Sequence, residues 1–158
     1  MKIQVNGVNI AYDDRGTGPP IVFLHAFPLN RTMWAPQEAA LSGRFRTISI
    51  DARGLGESDA PFWRYSMEQY AHEVKEVLTG LRIEKALFVG LSMGGYLEFV
   101  LYRMYPELVG GLVLADTRAE ADKAEQIQWR FNLAQRTAAT GPAAVIAEML
   151  PKLLAPAR

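Results

Sequence analysis

The stretch Ala86-Leu-Phe-Val-Gly-Leu-Ser92-Met-Gly-Gly95 decides which fold the sequence of this 158-residue chain predicts. Its first four residues form a continuous apolar run, which is typical of a strand covered on both faces. The following residues match the pattern Gly-x-Ser-x-Gly, in which a serine occupies a sharp turn between a strand and a helix. Glycines two positions before and after Ser92 lack a Cβ, so they let the strand and the helix approach closely. The stretch therefore predicts a nucleophilic serine in a strained backbone conformation.

Ser92 has a second interpretation, as the N-cap of a helix that follows a strand. The flanking segments favour the nucleophile, because Ala86–Val89 is predicted as a strand and a helix is predicted from about Met93 to Tyr105. That helix should stop before Pro106, since proline disfavours helical geometry in the residue before it.

Other apolar runs predict further strands, and amphipathic segments between them predict helices. The runs are Ile21–Leu24, Thr47–Ile50 and Leu112–Ala115, and alternating residues around Asn6-Gly7 predict an N-terminal hairpin. A helix is predicted to begin at Ser66, where Ser66-x-x-Gln69 fits a capping box. The pattern indicates an α/β fold with a mostly parallel sheet and an antiparallel N-terminal hairpin. Beyond Asp116, residues 120–140 and 143–150 are predicted as helices separated by Gly141-Pro142.

The composition is that of an ordinary globular domain, with 49% hydrophobic residues and 17 Lys+Arg against 17 Asp+Glu. A net charge of zero without a dense basic run argues against nucleic acid as a partner. The absence of cysteine excludes disulfide scaffolds, thiolate zinc sites and cysteine nucleophiles. No apolar run has the length of a signal peptide or a membrane-spanning helix, so we expect a cytoplasmic protein without membrane contact.

Three motifs occur in a recognisable order. His25-Ala26-Phe27-Pro28 follows the strand Ile21–Leu24, Asp51-Ala-Arg-Gly-Leu-Gly-Glu-Ser58 follows the next strand, and the serine turn comes third. Together they resemble the alpha/beta-hydrolase superfamily, particularly its small esterase and enol-lactonase-like branch, although Ala26 stands where glycine is usual. The resemblance covers nearly the whole chain as the N-terminal portion of that fold. It implies that residues 1–117 form the first part of the core, truncated after the sixth strand, and that residues 118–158 form part of a helical cap.

The resemblance implies hydrolysis of a small-molecule carboxylic ester or lactone by acyl transfer through Ser92. The backbone N–H groups of Phe27 and Met93 would form the oxyanion hole. No metal or organic cofactor is implied. A dehalogenase or an epoxide hydrolase would carry aspartate at position 92, so the serine disfavours both.

In this family the acid of the triad usually follows the next strand and the histidine follows the last one. Both segments are absent from this sequence. Of the two histidines, His72 is predicted on the exposed, polar side of its helix, beside Glu73. His25 is expected to shape the oxyanion loop or to line the substrate pocket rather than to act as the base. Asp116 ends a strand at the same sheet edge as Ser92, which makes it a candidate acid. Its alternative role is helix capping, because Thr117-x-x-Glu120 reads as a capping box.

Three further side chains belong to the predicted site region. Trp34 is a candidate for the substrate pocket, with a core position as the alternative. Asp51 and Arg53 are expected to fix their loop rather than to take part in chemistry.

Two other functions remain open at this point. One is a cofactor-free perhydrolase, and the other is a catalytically incompetent structural or binding fragment that another chain completes. The strand Leu112–Ala115 would leave an unpaired edge flanked by apolar side chains. We therefore expect a homo-oligomer or a complementing chain that supplies the missing strands.

Overall fold

The computed structural model of the chain describes residues 1–62 and 64–153. In this part the strands are β1 (Lys2–Val5), β2 (Val8–Arg15), β3 (Pro20–Leu24), β4 (Arg46–Ile50), β5 (Ala86–Leu91) and β6 (Val109–Ala115). The α-helices are α1 (Ala35–Leu41), α2 (Met67–Gly80), α3 (Met93–Met104), α4 (Ala124–Thr140) and α5 (Ala143–Leu153). Short 3-10 turns lie at Arg31–Trp34 and Pro106–Leu108.

The strands form one sheet in the order β1-β2-β4-β3-β5-β6. The pairs β1/β2 and β2/β4 are antiparallel, whereas β3 pairs in parallel with β4 and β5, and β5 with β6. The hairpin turns at Asn6 and Gly7, which have φ values of 49° and 76°. The predicted α/β fold, with a parallel sheet and an antiparallel start, is confirmed.

Apolar residues cover both faces of the parallel strands, as the continuous apolar runs predict. Successive residues of a strand point to opposite faces, so Val22 joins one cluster and Phe23 the other. The larger cluster also contains Phe88 of β5, Val77 of α2 and Leu101 of α3. The helices α2 and α3 therefore pack on the same face of the sheet.

The helix α2 begins as the sequence predicts. The side chain of Ser66 accepts a hydrogen bond from the N–H of Gln69 at 3.2 Å, which satisfies one of the free first-turn donors. Along the helix, apolar residues recur at helical spacing and are buried against the sheet: Ala71, Val74, Val77 and Leu78.

Strand β6 forms an edge of the sheet. Its neighbour is β5 on one side, while Val113 and Leu114 keep 44% and 45% of their surface exposed. The chain thus leaves apolar side chains uncovered at this edge.

The chain divides into two compact units, of which the first is Met1–Ala119 and the second begins at Glu120. In the second unit α4 packs against α5, and Arg136 forms an ion pair with Glu148. The expectation of a helix from Glu120, capped by Thr117, is wrong. The helix begins at Ala124, where the N–H of Lys123 donates to Gln126 Oε1 at 2.9 Å. Among the described residues, no helix is long and apolar enough to cross a bilayer.

Candidate active site

The parallel strands end at one edge of the sheet, and four residues with reactive or polar side chains follow them. Register pairs Leu24 with both Ile50 and Gly90, and Leu91 with Ala115. The loops after β3, β4, β5 and β6 therefore begin side by side, and their residues are His25, Asp51, Ser92 and Asp116. Ligands of open α/β sheets bind at this edge.

Ser92 occupies the turn between β5 and α3 with φ 53° and ψ −107°. A positive φ is unfavourable for a residue with a side chain, so the surroundings must hold it. The N–H of Ser92 donates to Ala115 O at 3.0 Å, and its carbonyl accepts from the N–H of Gly95 at 3.0 Å. Both backbone polar groups of the serine are thus fixed by hydrogen bonds.

The glycines around Ser92 are required by close contacts. A Cβ on Gly90 would lie 2.5 Å from the carbonyl carbon of Gly94. A Cβ on Gly94 would lie 2.2 Å from the carbonyl oxygen of Leu24 in β3. Backbone atoms cannot give way as flexible side chains do, so the prediction that these positions must lack a Cβ is confirmed.

The two predicted oxyanion donors follow the neighbouring strands β3 and β5. Met93 is the first residue of α3, and first-turn N–H groups have no intrahelical acceptor. Phe27 lies in the loop after β3, and its N–H has no hydrogen-bond acceptor among the described residues. In the same loop, the N–H of Leu29 donates to Ala26 O at 2.8 Å. The role of the two amides as oxyanion donors stays a prediction.

His25 is 2% exposed and binds two backbone groups. Its Nε2 accepts from the N–H of Ala52 at 3.0 Å, and its Nδ1 is 3.0 Å from Ala26 O, which makes Nδ1 the protonated nitrogen. Burial lowers the pKa of His25. The ring is therefore a neutral link between two loops, and its lone pair is already used. It lines a cavity of about 20 Å³, which has room for one water molecule.

Trp34 is 7% exposed and packs against Phe23, with ring centroids 5.1 Å apart. The structure thus places it in the apolar cluster that also contains Ile21 and Phe23. Its position corresponds to the alternative that the sequence leaves open.

His72 lies between α2 and the end of α3. Its Nδ1 is 3.0 Å from the hydroxyl of Tyr105 and the residue is half-buried, so His72 lies at the surface, as predicted, but with a partner that the sequence does not indicate. Glu73 next to it is 3% exposed and pairs with Arg53, whose Nε donates to Oε1 at 2.7 Å. The sequence of α2 does not reveal these two contacts, because the partners come from other segments.

Asp51 and Arg31 hold the loop after β4. The carboxyl of Asp51 is fully buried, accepts from the N–H groups of Arg31 at 2.7 Å and Glu57 at 2.8 Å, and forms an ion pair with the Arg31 guanidinium. The loop-fixing roles predicted for Asp51 and Arg53 are confirmed. Arg31 was not predicted, because no motif surrounds it.

Asp116 is exposed and has φ 40°, directly after β6. The next residue, Thr117, turns back to the serine and donates from its hydroxyl to Ser92 O at 2.9 Å. The capping box predicted from Thr117 does not exist. Among the described residues, no group of three or more acidic or histidine side chains is arranged to hold a metal ion.

Comparisons with known proteins agree with this geometry. A family model described as alpha/beta hydrolase fold matches residues 19–148. The chain is similar to a thermophilic esterase from Thermogutta terrifontis, with a TM-score of 0.89 and 38% identity over 96% of this chain and 57% of that one. It is also similar to the enol-lactonase from Burkholderia xenovorans LB400, with a TM-score of 0.87 and 33% identity over 96% of this chain and 58% of that one.

A relative in Mycobacterium tuberculosis, provisionally named non-heme bromoperoxidase BpoC, is 34% identical over 130 residues. These residues make up 81% of this chain and 48% of the relative. The chain spans about a third to a half of the length of the curated relatives it matches.

Proposed function

The chain belongs to the alpha/beta hydrolase fold family, and from this premise we propose that it carries the nucleophile and the oxyanion hole of a serine hydrolase that acts on carboxylic esters or lactones. The observation that carries the proposal is the strained turn of Ser92 between β5 and α3, with glycines at each point of close contact. The likeness to an esterase and an enol-lactonase supports the substrate class.

The proposed reaction has two steps. The Oγ of Ser92 attacks the carbonyl carbon of the ester while a base takes its proton, and the carbonyl oxygen becomes an anion. The N–H groups of Phe27 and Met93 donate to this anion, and each such donor contributes about 2.7–4 kcal/mol to the transition state. The alcohol leaves with the proton from the base, and water then attacks the acyl group and regenerates Ser92.

We propose that neither of the two histidines of this chain is the base. His25 has its lone pair bound to Ala52, and His72 is held by Tyr105. Asp116 remains our proposal for the acid, because its exposed carboxyl follows the strand next to β5. A complementing polypeptide segment would supply the imidazole and cover β6, since a second copy would bring only the same two bonded histidines.

An imidazole rescue experiment tests the proposal on the 158-residue chain. Hydrolysis of 4-nitrophenyl acetate is measured with increasing free imidazole for the parental protein and for Ser92→Ala. Because imidazole alone hydrolyses this ester, the quantity of interest is the difference between the two proteins at each concentration. We expect an imidazole-dependent excess in the parental protein, since the small base supplies the missing proton acceptor.

Equal rates in the two proteins at every imidazole concentration would contradict the proposal. That outcome would favour the alternative in which the chain is a structural or binding fragment. Light scattering on the same samples reports whether a second copy is bound.

Perhydrolysis is a second candidate, favoured by the likeness to the relative named non-heme bromoperoxidase BpoC. In that reaction hydrogen peroxide replaces water as the acceptor, so its oxygen bonds to the acyl carbon and Ser92 regains its proton. The product is a peroxy acid, which oxidises bromide in a halogenation assay. Peroxy-acid formation that depends on Ser92 would support this function, and ester hydrolysis without any peroxy acid would exclude it.

A further inference from the structure

Thr117 contacts the backbone of the proposed nucleophile. Its hydroxyl donates to the carbonyl oxygen of Ser92 at 2.9 Å. Its side chain lies directly over Gly95, where an added Cβ would come within 2.5 Å of Cγ2 and 2.6 Å of Oγ1. The missing Cβ of Gly95 is therefore what allows the threonine hydroxyl to reach Ser92.

The end of β6 binds Ser92 at both of its backbone polar groups. Ala115 O accepts from the Ser92 N–H at 3.0 Å, and Thr117 Oγ1 donates to the Ser92 carbonyl. Between these residues, Asp116 adopts φ 40°, so the chain leaves the strand direction there. The strain at Asp116 thus accompanies a turn that brings Thr117 to the serine.

The carbonyl of Ser92 and the N–H of Met93 belong to the same planar peptide group. A hydrogen bond to the carbonyl oxygen fixes the orientation of that plane, and so it also fixes the direction of the N–H. Hydrogen bonds that follow one another through a peptide group polarise one another. A hydrogen bond accepted by the Ser92 carbonyl oxygen therefore makes the Met93 N–H a stronger donor. The N–H in question is the proposed oxyanion donor.

We propose that Thr117 is a positioning residue that orients and polarises the Met93 N–H through the Ser92 carbonyl. This inference rests on the proposed function for its catalytic consequence, while the hydrogen bond itself is independent of activity. Thr117 does not touch the reacting atoms.

The direct test observes this one peptide group by NMR. A three-dimensional HNCO spectrum gives a single cross-peak that joins the Met93 amide to the Ser92 carbonyl carbon. Thr117→Val removes the hydroxyl with little change of shape, and Ser92 O keeps its bonds from the N–H groups of Gly95 and Tyr96. We expect the cross-peak to move in both the carbon and the amide-proton dimension, and Thr117→Ser to restore its position.

Two further variants sharpen the result. Gly95→Ala should move the same cross-peak, because its new Cβ displaces the Thr117 side chain, and it decides the matter if Thr117→Val fails to fold. Thr79→Val is the matched control, since Thr79 donates to the Lys75 carbonyl on α2, and it should leave the cross-peak in place. An unchanged cross-peak in folded Thr117→Val, or a failure of serine to restore it, would overturn the proposal.

The kinetic arm uses the imidazole-dependent ester assay. Loss of one neutral hydrogen bond predicts a fall of about tenfold in kcat for Thr117→Val, with KM changed by less than about twofold and recovery in Thr117→Ser. A purely structural role would not separate kcat from KM in this way, so an unchanged kcat overturns the catalytic part of the inference. If instead Ser92→Ala retains activity, the proposed function fails while the NMR result still stands by itself.

Discussion

Two turns at the carboxyl edge of the sheet differ in how they are held. Ser92 after β5 and Asp116 after β6 both have a positive φ, of 53° and 40°. The turn at Ser92 is held by a hydrogen bond to Ala115 of β6 and by the close contact of Gly94 with Leu24 of β3. Asp116 is exposed directly after the edge strand β6, in which the apolar side chains of Val113 and Leu114 are also exposed.

The comparison distinguishes the turn at Ser92, which is held by many contacts, from the edge at β6, which is exposed. Strained backbone persists where the surroundings over-determine it, which is the situation at Ser92. The turn of the proposed nucleophile is therefore held by contacts among the described residues. Strand β6, in contrast, has no neighbour on its outer side among the described residues, and its apolar side chains are partly exposed there.

The largest expected effect comes from a substitution that disrupts the tight turn at Ser92. Gly94→Val should prevent folding or cost more than about 4 kcal/mol, because even its Cβ collides with the Leu24 carbonyl of β3. Gly43→Val is the control, since a Cβ at Gly43 meets nothing within 4 Å. Urea unfolding of the two variants should show a large loss for the first and a small change for the second. A Gly94→Val protein of parental stability would refute the packing that we assign to the turn.

The buried carboxyl of Glu98 predicts how stability depends on pH in α3, the helix that follows this turn. Its carboxyl is fully buried in α3, and no described residue hydrogen-bonds to either oxygen, although the Gly90 and Val113 N–H groups lie nearby. Burial raises its pKa from 4.5 to about 8. Between these values only the unfolded chain loses the proton, so the free energy of unfolding should fall as pH rises from about 4.5 to 8.

Glu98→Gln should remove this pH dependence and stabilise the protein above pH 8, by at most about 4–5 kcal/mol. Urea unfolding of both proteins at a series of pH values measures the difference. Below pH 4.5 the two should be nearly equal, because both side chains are neutral there. Parallel stability curves across the whole range would show that Glu98 is ionised in the folded protein.

The contrast between the interior and the edge also predicts the cost of truncating leucines. Leu101→Ala in α3 should cost about 2–5 kcal/mol, since this side chain is fully buried. Leu114→Ala in β6 should cost less than about 1 kcal/mol, because nearly half of Leu114 is exposed. Equal losses in thermal or urea unfolding would mean that β6 is covered in solution, for example by a second copy.

The smallest expected effect concerns His72. Because its ring is bonded to Tyr105, His72→Ala should cost about 1 kcal/mol rather than nothing. The Ser92-dependent ester rate should stay the same, since this contact lies between α2 and the end of α3. A lost Ser92-dependent rate in a folded His72→Ala protein would bring this histidine back as the base.

The sequence predicts the elements whose signals are local. The Asn6-Gly7 hairpin, the cap at Ser66 and the glycines beside Ser92 each depend on a few adjacent residues, and all three are confirmed. The start of α4 was misplaced, because the capping pattern at Thr117 is used instead for a contact with the Ser92 carbonyl.

Partners distant in sequence account for the remaining misses. The sequence predicts Glu73 on the polar side of α2. In the structure it is buried and paired with Arg53 from the loop after β4. Glu98 carried a usable signal, since it stands one residue after Leu97 and three before Leu101 on the buried side of α3. A charge at that position indicates a group that the fold must keep neutral or pair.

The most direct test of the central claim, that this chain alone builds the nucleophile, is to trap the acyl group. The protein is mixed with 4-nitrophenyl acetate and imidazole, quenched in acid, digested and analysed by tandem mass spectrometry. We predict an acetyl group on Ser92 of the parental protein and none at that position in Ser92→Ala. Acetylation that leaves Ser92 unmodified, or that is equal in both proteins and confined to other side chains, would contradict the account.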